Sequence, residues 1–220
     1  MFGCRRAILA LAFGLPAIVT CGAAHRTPAA PPDFVALIAR LAPAVLAVAG
    51  ETRTVGSGFA VAPRTVATAA HVADAAGASI AIVISGQRST ARVVRVDQDR
   101  DVALLEVGVD VSPVTLAPDD APARVGEWVI VLGNPFGGGV TATAGIVSAA
   151  PGAITATARL AAQIQINAAV NPGNSGGPVC NMRGEVIGMA SALMPGGQGL
   201  AFVTPASVIR GLLSNASAHR

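Results

Sequence analysis

The segment Asn171-Pro172-Gly173-Asn174-Ser175-Gly176-Gly177-Pro178-Val179-Cys180 sets one hydroxyl among glycines, which let backbone N–H groups crowd around a reacting carbonyl. A serine hydroxyl is a weak nucleophile until a base takes its proton and a carboxylate holds that base in the right tautomer. The chain has three histidines, and His25 and His219 stand near its two ends. His71, in Thr68-Ala69-Ala70-His71-Val72, is therefore the base candidate inside the fold. Asp101 opens the apolar run Val102-Ala103-Leu104-Leu105, where a carboxylate would be buried as an orienting group. Asp99 is the rival acid, two positions earlier and so on the same strand face; Asp101 is preferred because it directly precedes the apolar run. Taken singly, each feature has an ordinary reading as a glycine-rich turn, a core or surface histidine, or a solvated strand end. In the order His, Asp, Ser they point to nucleophilic attack by Ser175 on an acyl carbon, with no metal and no cofactor.

That order also restricts the elements that must carry these residues. Gly173-Asn174-Ser175-Gly176-Gly177 satisfies the G-x-S-x-G elbow of α/β-hydrolases, but that fold needs its acid and then its histidine after the serine. Only His219 follows, and the residues after Ser175 read as strand, turn and strand rather than as a helix. A base and acid preceding the serine, with strands on both sides, is the chymotrypsin arrangement. Gly (25) and Pro (15) punctuate short Val- and Ala-rich runs, which favours an all-β fold over a helical one. Strands are expected at 45–49, 58–61, 65–68, 79–84, 92–97 and 103–107, then at 127–132, 140–148, 162–167, 178–181, 185–190 and 200–204. The polar, proline-bearing stretch 117–122 reads as a linker. The expectation is two six-stranded antiparallel β-barrels, about 43–116 and about 123–205, and a short terminal helix over 206–213. His71 and Asp101 would come from the first barrel and Ser175 from the second, so the site would form in the cleft between them.

Several segments together resemble the HtrA (DegP-like) family of trypsin-like serine peptidases. They are Val55-Gly56-Ser57-Gly58-Phe59, Thr68 to Val72, Asp101 to Leu105, Val131-Leu132-Gly133-Asn134-Pro135-Phe136-Gly137, Gly145-Ile146-Val147-Ser148-Ala149, Asn171 to Pro178 and Gly199-Leu200-Ala201-Phe202-Val203-Thr204-Pro205. They run in the family's order across residues 34–205. The resemblance implies an oxyanion hole from the N–H groups of Gly173 and Ser175, with Asn174 as a further member. It also implies a substrate pocket with Ala169 as its floor and walls from Ala190, Ser191, Ala192 and Leu200. All are uncharged and most are small, so cleavage after Val, Ala or Leu is expected rather than after Arg or Lys. Asn167 stands where the family usually carries Asp, which alters the hydrogen bonding near the pocket. Asn174 replaces the Asp of digestive relatives, so activation by a new N-terminal ammonium is not expected. Too few residues follow Pro205 for a PDZ domain, so gating by such a domain in cis is not expected either.

At the N-terminus, Arg5-Arg6 precedes an apolar stretch over 7–19 and the small residues Cys21-Gly22-Ala23-Ala24, the layout of a secretory signal over 1–25. Alternatives are an uncleaved anchor, for which the stretch is short, and lipid attachment at Cys21, for which Thr20 is an unusual neighbour. The protease domain would then occupy 26–220, in the periplasm, the cell envelope or the medium. Without Cys4 and Cys21, Cys180 has no internal disulfide partner and reads as a small buried hydrophobe. All fifteen basic residues are Arg, the net charge is +3 and aromatics are 3%. Scattered positive charge with so little stacking surface argues against nucleic-acid binding. Polypeptide substrates are the expected partners, with membrane association only if the N-terminal segment is uncleaved. Phe34, Leu37, Ile38 and Leu41 recur at helical spacing and either cover a barrel or serve a homo-oligomer. The reading from a different class is a protease-shaped binding or chaperone module that is latent or activated by a partner.

Overall fold

A computed structural model describes residues 33–153, 157–193 and 199–217. The expected signal segment, with Cys21 and His25, lies outside the described residues, as does His219. Twelve strands among the described residues form two closed antiparallel barrels. The first contains β1 (Val45–Ala49), β2 (Thr54–Ala62), β3 (Thr65–Thr68), β4 (Ala81–Ile84), β5 (Gln87–Asp97) and β6 (Val102–Val107), in the order β1-β2-β3-β6-β5-β4. The second contains β7 (Trp128–Gly133), β8 (Thr141–Ala149), β9 (Ile164–Ile166), β10 (Pro178–Asn181), β11 (Val186–Leu193) and β12 (Ala201–Pro205), in the order β10-β11-β12-β9-β8-β7. The barrels close where β1 pairs with β4 and where β10 pairs with β7. Closure leaves no sheet edge unpaired, and the all-β, two-barrel expectation holds.

Four helices accompany the strands among the described residues: α1 (Phe34–Leu41), α2 (Ala70–Ala76), α3 (Ala158–Ala161) and α4 (Ala206–Ser217). In α1 the Asp33 side chain accepts from Ala36 N–H at 3.0 Å, a cap that satisfies one of the free first-turn donors. Leu37 and Leu41 are buried in the first barrel's core, so this face of the helix covers a barrel. That core extends across the cleft to Ile130, Leu132, Met189 and Ile209, so apolar burial runs continuously from the first barrel into the second. The connection between barrels is tied down rather than a free linker: Val114 N–H donates to Ala60 O, Val186 N–H to Thr115 O and Ala117 N–H to Val186 O. Cys180 is fully buried, and burial pushes its thiol up to about 12, so it stays protonated and inert.

Candidate active site

His71 is the second residue of α2, in the first turn, where a backbone N–H has no partner inside the helix. Asp101 supplies one. Its Oδ1 accepts the His71 N–H at 3.0 Å, and its two oxygens stand 3.0 and 2.9 Å from His71 Nδ1. The carboxylate thus holds both the start of the helix and the ring it carries, leaving Nε2 as the free basic nitrogen. Asp101 reaches this position by an unusual backbone. The preceding turn is closed by Asp97, whose side chain accepts from Arg100 N–H at 3.0 Å and pairs with its guanidinium at 2.9 Å. Asp101 itself has φ 58°, a left-handed conformation that Asp tolerates better than most residues. It is 3% exposed. Burial raises its carboxyl, but the hydrogen bonds from His71 and Ser191 outweigh that and hold it below the ordinary 3.8.

Ser175 lies in the loop between β9 and β10. The loop is bonded to the first barrel through Ser57 N–H, which donates to Ser175 O at 2.9 Å. Within the loop, the N–H groups of Asn174, Gly176 and Gly177 donate to Asn171 O, Ala190 O and Asn174 O at 2.9, 2.7 and 2.9 Å. Those of Gly173 and Ser175 donate to no acceptor among the described residues. Gly173 has φ 97°, and a Cβ there would sit 2.3 Å from Pro135 Cβ, so only glycine fits. Ser175 Oγ likewise makes no hydrogen bond among the described residues. Such links in unliganded sites often close only when substrate binds.

The structure therefore gathers His71 and Asp101 and carries Ser175 on a loop bonded to the same barrel, while leaving the rival Asp99 exposed. Among the expected oxyanion donors, Asn174 is corrected: its N–H is occupied by Asn171 O and its buried Oδ1 accepts from Thr141 at 3.3 Å. Two of the expected pocket residues are buried. Ala190 is fully buried beneath the serine loop, and its backbone exchanges bonds with Gly176 and Gly177. Ser191, also buried, turns its hydroxyl to Asp101 Oδ2 at 2.5 Å. Neither side chain has surface to offer a pocket, because β11 runs directly under the loop. Ala169 is exposed and Leu200 half-buried; the Ala192 side chain lies outside the described residues. Asn167 Oδ1 accepts from Ile146 N–H at 2.7 Å, a role that needs an acceptor and no charge.

Three roles escaped the sequence reading: the bond of Ser191, read as a pocket wall, to Asp101; the bonds of Ser57 to the serine loop; and Arg159, whose guanidinium stands 3.4 Å from Asp101 Oδ2. Arg159 lines a cavity of about 440 Å³ together with Arg100 and Gln163, whose buried Oε1 has no partner among the described residues. Ser57 alone carried a local signal, as the only polar side chain of the strand segment Val55–Phe59.

Two barrels closed on themselves, with a histidine–carboxylate pair from one and a glycine-bound serine loop from the other, define the chymotrypsin-like class of fold. Residues 56–189 match the trypsin-like peptidase domain family, and the chain belongs to it. A probable periplasmic serine endoprotease, DegP-like, of Rhizobium meliloti is 39% identical over 169 residues, which are 74% of this chain and 33% of the relative. The putative serine protease HhoB of Synechocystis is 35% identical over 164 residues, 73% of this chain and 39% of that protein. The crystal structure of the serine endoprotease from Yersinia pestis superimposes with a TM-score of 0.72 at 28% identity, covering 86% of this chain and 68% of that one. Within the family the resemblance is thus to the DegP-like, or HtrA, members. The chain spans about a third of the length of these curated relatives.

Proposed function

We propose that this chain is an exported serine endopeptidase acting on polypeptides. His71 draws the proton from Ser175 Oγ as it attacks a peptide carbonyl, then delivers it to the leaving amine, while Asp101 stabilises the imidazolium. Water enters by the same route and hydrolyses the acyl-enzyme on Ser175. The negative oxygen formed in each attack is held by the N–H groups of Gly173 and Ser175. The observation that carries this reading is that, from Gly173 to Gly177, the N–H groups of Gly173 and Ser175 flanking the nucleophile position have no acceptor among the described residues, while those of Asn174, Gly176 and Gly177 do. Both residues are half-buried, so these donors are open to an incoming oxyanion.

Export is supported by the charged, apolar and small-residue layout of the N-terminus and by relatives whose names call them periplasmic. Ala169 and Leu200 support a preference for small or medium aliphatic residues before the scissile bond. A randomised peptide library digested by residues 26–220 tests both activity and preference. Cleavage after Val, Ala or Leu, abolished by Ser175→Ala, is the expected result; cleavage after Arg refutes the preference, and cleavage that survives Ser175→Ala refutes the mechanism. The second reading, a latent or partner-activated binding module, is favoured by one observation: Ser175 Oγ is not bonded to a base among the described residues. It predicts that the folded protein binds polypeptide without cutting it. Homo-oligomerisation through the exposed face of α1 is an associated proposal, supported by Val35, a large apolar side chain left exposed on that helix.

A further inference from the structure

Ser57 sits in β2 of the first barrel and is fully buried, yet every polar group it owns is committed at the junction of the two barrels. Its hydroxyl lies 2.5 Å from Gly173 O and 2.8 Å from the N–H of Asn134, in the turn after β7. The direction of each bond is dictated by chemistry, since an amide N–H can only donate and a carbonyl can only accept. The hydroxyl therefore accepts from Asn134 and donates to Gly173. Its N–H donates to Ser175 O, and its own carbonyl accepts from Thr68 Oγ1 at 2.7 Å, three residues before His71.

We infer that Ser57 is a positioning residue that shapes the oxyanion hole from the opposite barrel; the inference rests on the hydrolase reading above. The peptide unit joining Gly173 and Asn174 is planar and is gripped at both ends, its carbonyl by Ser57 and its N–H by Asn171 O. The two unspent N–H groups, those of Gly173 and Ser175, belong to the peptide units on either side. Fixing the middle unit removes the rotation that would separate them, so both are presented to one oxygen before it becomes charged. Preorganisation of this kind acts in the transition state more than in substrate binding. Ser57 touches neither substrate nor the reacting atoms.

Ser57→Ala removes the donor and leaves Gly173 O and Asn134 N–H unpaired. Ser57→Cys keeps a side-chain atom at the γ position, slightly larger than the oxygen, but donates weakly, and it serves where the alanine variant does not fold. In either variant kcat for a peptide substrate is expected to fall about 10- to 100-fold, with KM moving less than about threefold. Affinity for a peptide boronate, whose adduct places an oxygen in the hole, should fall in parallel. Amide hydrogen exchange adds a readout that needs no catalysis: Asn174 N–H should exchange faster in both variants once its peptide unit can rotate. A folded variant that keeps wild-type kcat, boronate affinity and Asn174 protection overturns the inference. So does a variant in which KM and not kcat changes. Failure of the hydrolase reading is distinguishable, because wild type would then react with neither boronate nor substrate while the Asn174 comparison still reports on Ser57.

Discussion

Asp101 carries more of the site than any other side chain, since it binds the His71 backbone and ring, the Ser191 hydroxyl and the Arg159 guanidinium. It was preferred to Asp99 for its place before an apolar run, and its pairing with His71 was expected, but its contacts with Ser191 and Arg159 were not legible. Asp101→Asn should lower kcat about 10⁴-fold by destabilising the working tautomer of the base, whereas Asp99→Asn should stay within about twofold of wild type. Steady-state rates of the two variants decide between them, and the reverse pattern would reassign the acid. A pH dependence follows from the same bonds. The carboxyl titrates below its ordinary 3.8 in the fold, so the folded state binds its proton less readily than the unfolded chain. The stabilisation is complete above about pH 4 and is lost as pH falls through the depressed folded value. Chemical denaturation at pH 7 and pH 3 should therefore show a larger loss of stability for wild type than for Asp101→Asn.

Among the elements, α2 was missed because Ala69, its N-cap, has no capping side chain and the helix is only seven residues long, too short for a 3.6-residue period to emerge. Strand β5 begins at Gln87, five positions earlier than expected, because its first half is polar on both faces and offers no alternation. Its start was marked instead by Ser85-Gly86, whose φ values of 48° and 80° are those of a tight hairpin turn. Strand β6 was read well, since all but Glu106 are buried and the run is continuously apolar. It lies between β3 and β5 and aims Asp101 at its entry, so its packing is also positional. Leu104, fully buried, tests this. Leu104→Ala should cost about 3 kcal/mol and lower Tm by about 6–12 °C, with a further fall in kcat at temperatures where the variant is folded. A Tm within about 2 °C of wild type would contradict the assigned role of that strand.

At the scale of the whole molecule, the site exists only because two barrels are bonded through it. Ser57 reaches Gly173 and Ser175, Ser191 reaches Asp101, and Thr204 Oγ1 donates to Arg100 O at 3.2 Å. The number of barrels, their strand composition and the order of His71, Asp101 and Ser175 were readable because each leaves a local pattern: turn residues, apolar runs and a glycine-bound serine. The cross-barrel bonds were not, because Ser57 and Gly173 are 116 positions apart and Asp101 and Ser191 are 90 apart, and no local pattern spans such distances. The same holds for Ala190 and Ser191, which the family resemblance put in a pocket wall and whose bonds to the serine loop and to Asp101 no local pattern announced. The most direct test of the account is labelling of folded residues 26–220 by a serine-reactive fluorophosphonate, with Ser175→Ala and His71→Ala as controls. The account predicts stoichiometric labelling of wild type, lost in both variants, because reaction requires the nucleophile, its base and the hole together. A folded wild type that does not label contradicts it and favours the binding module.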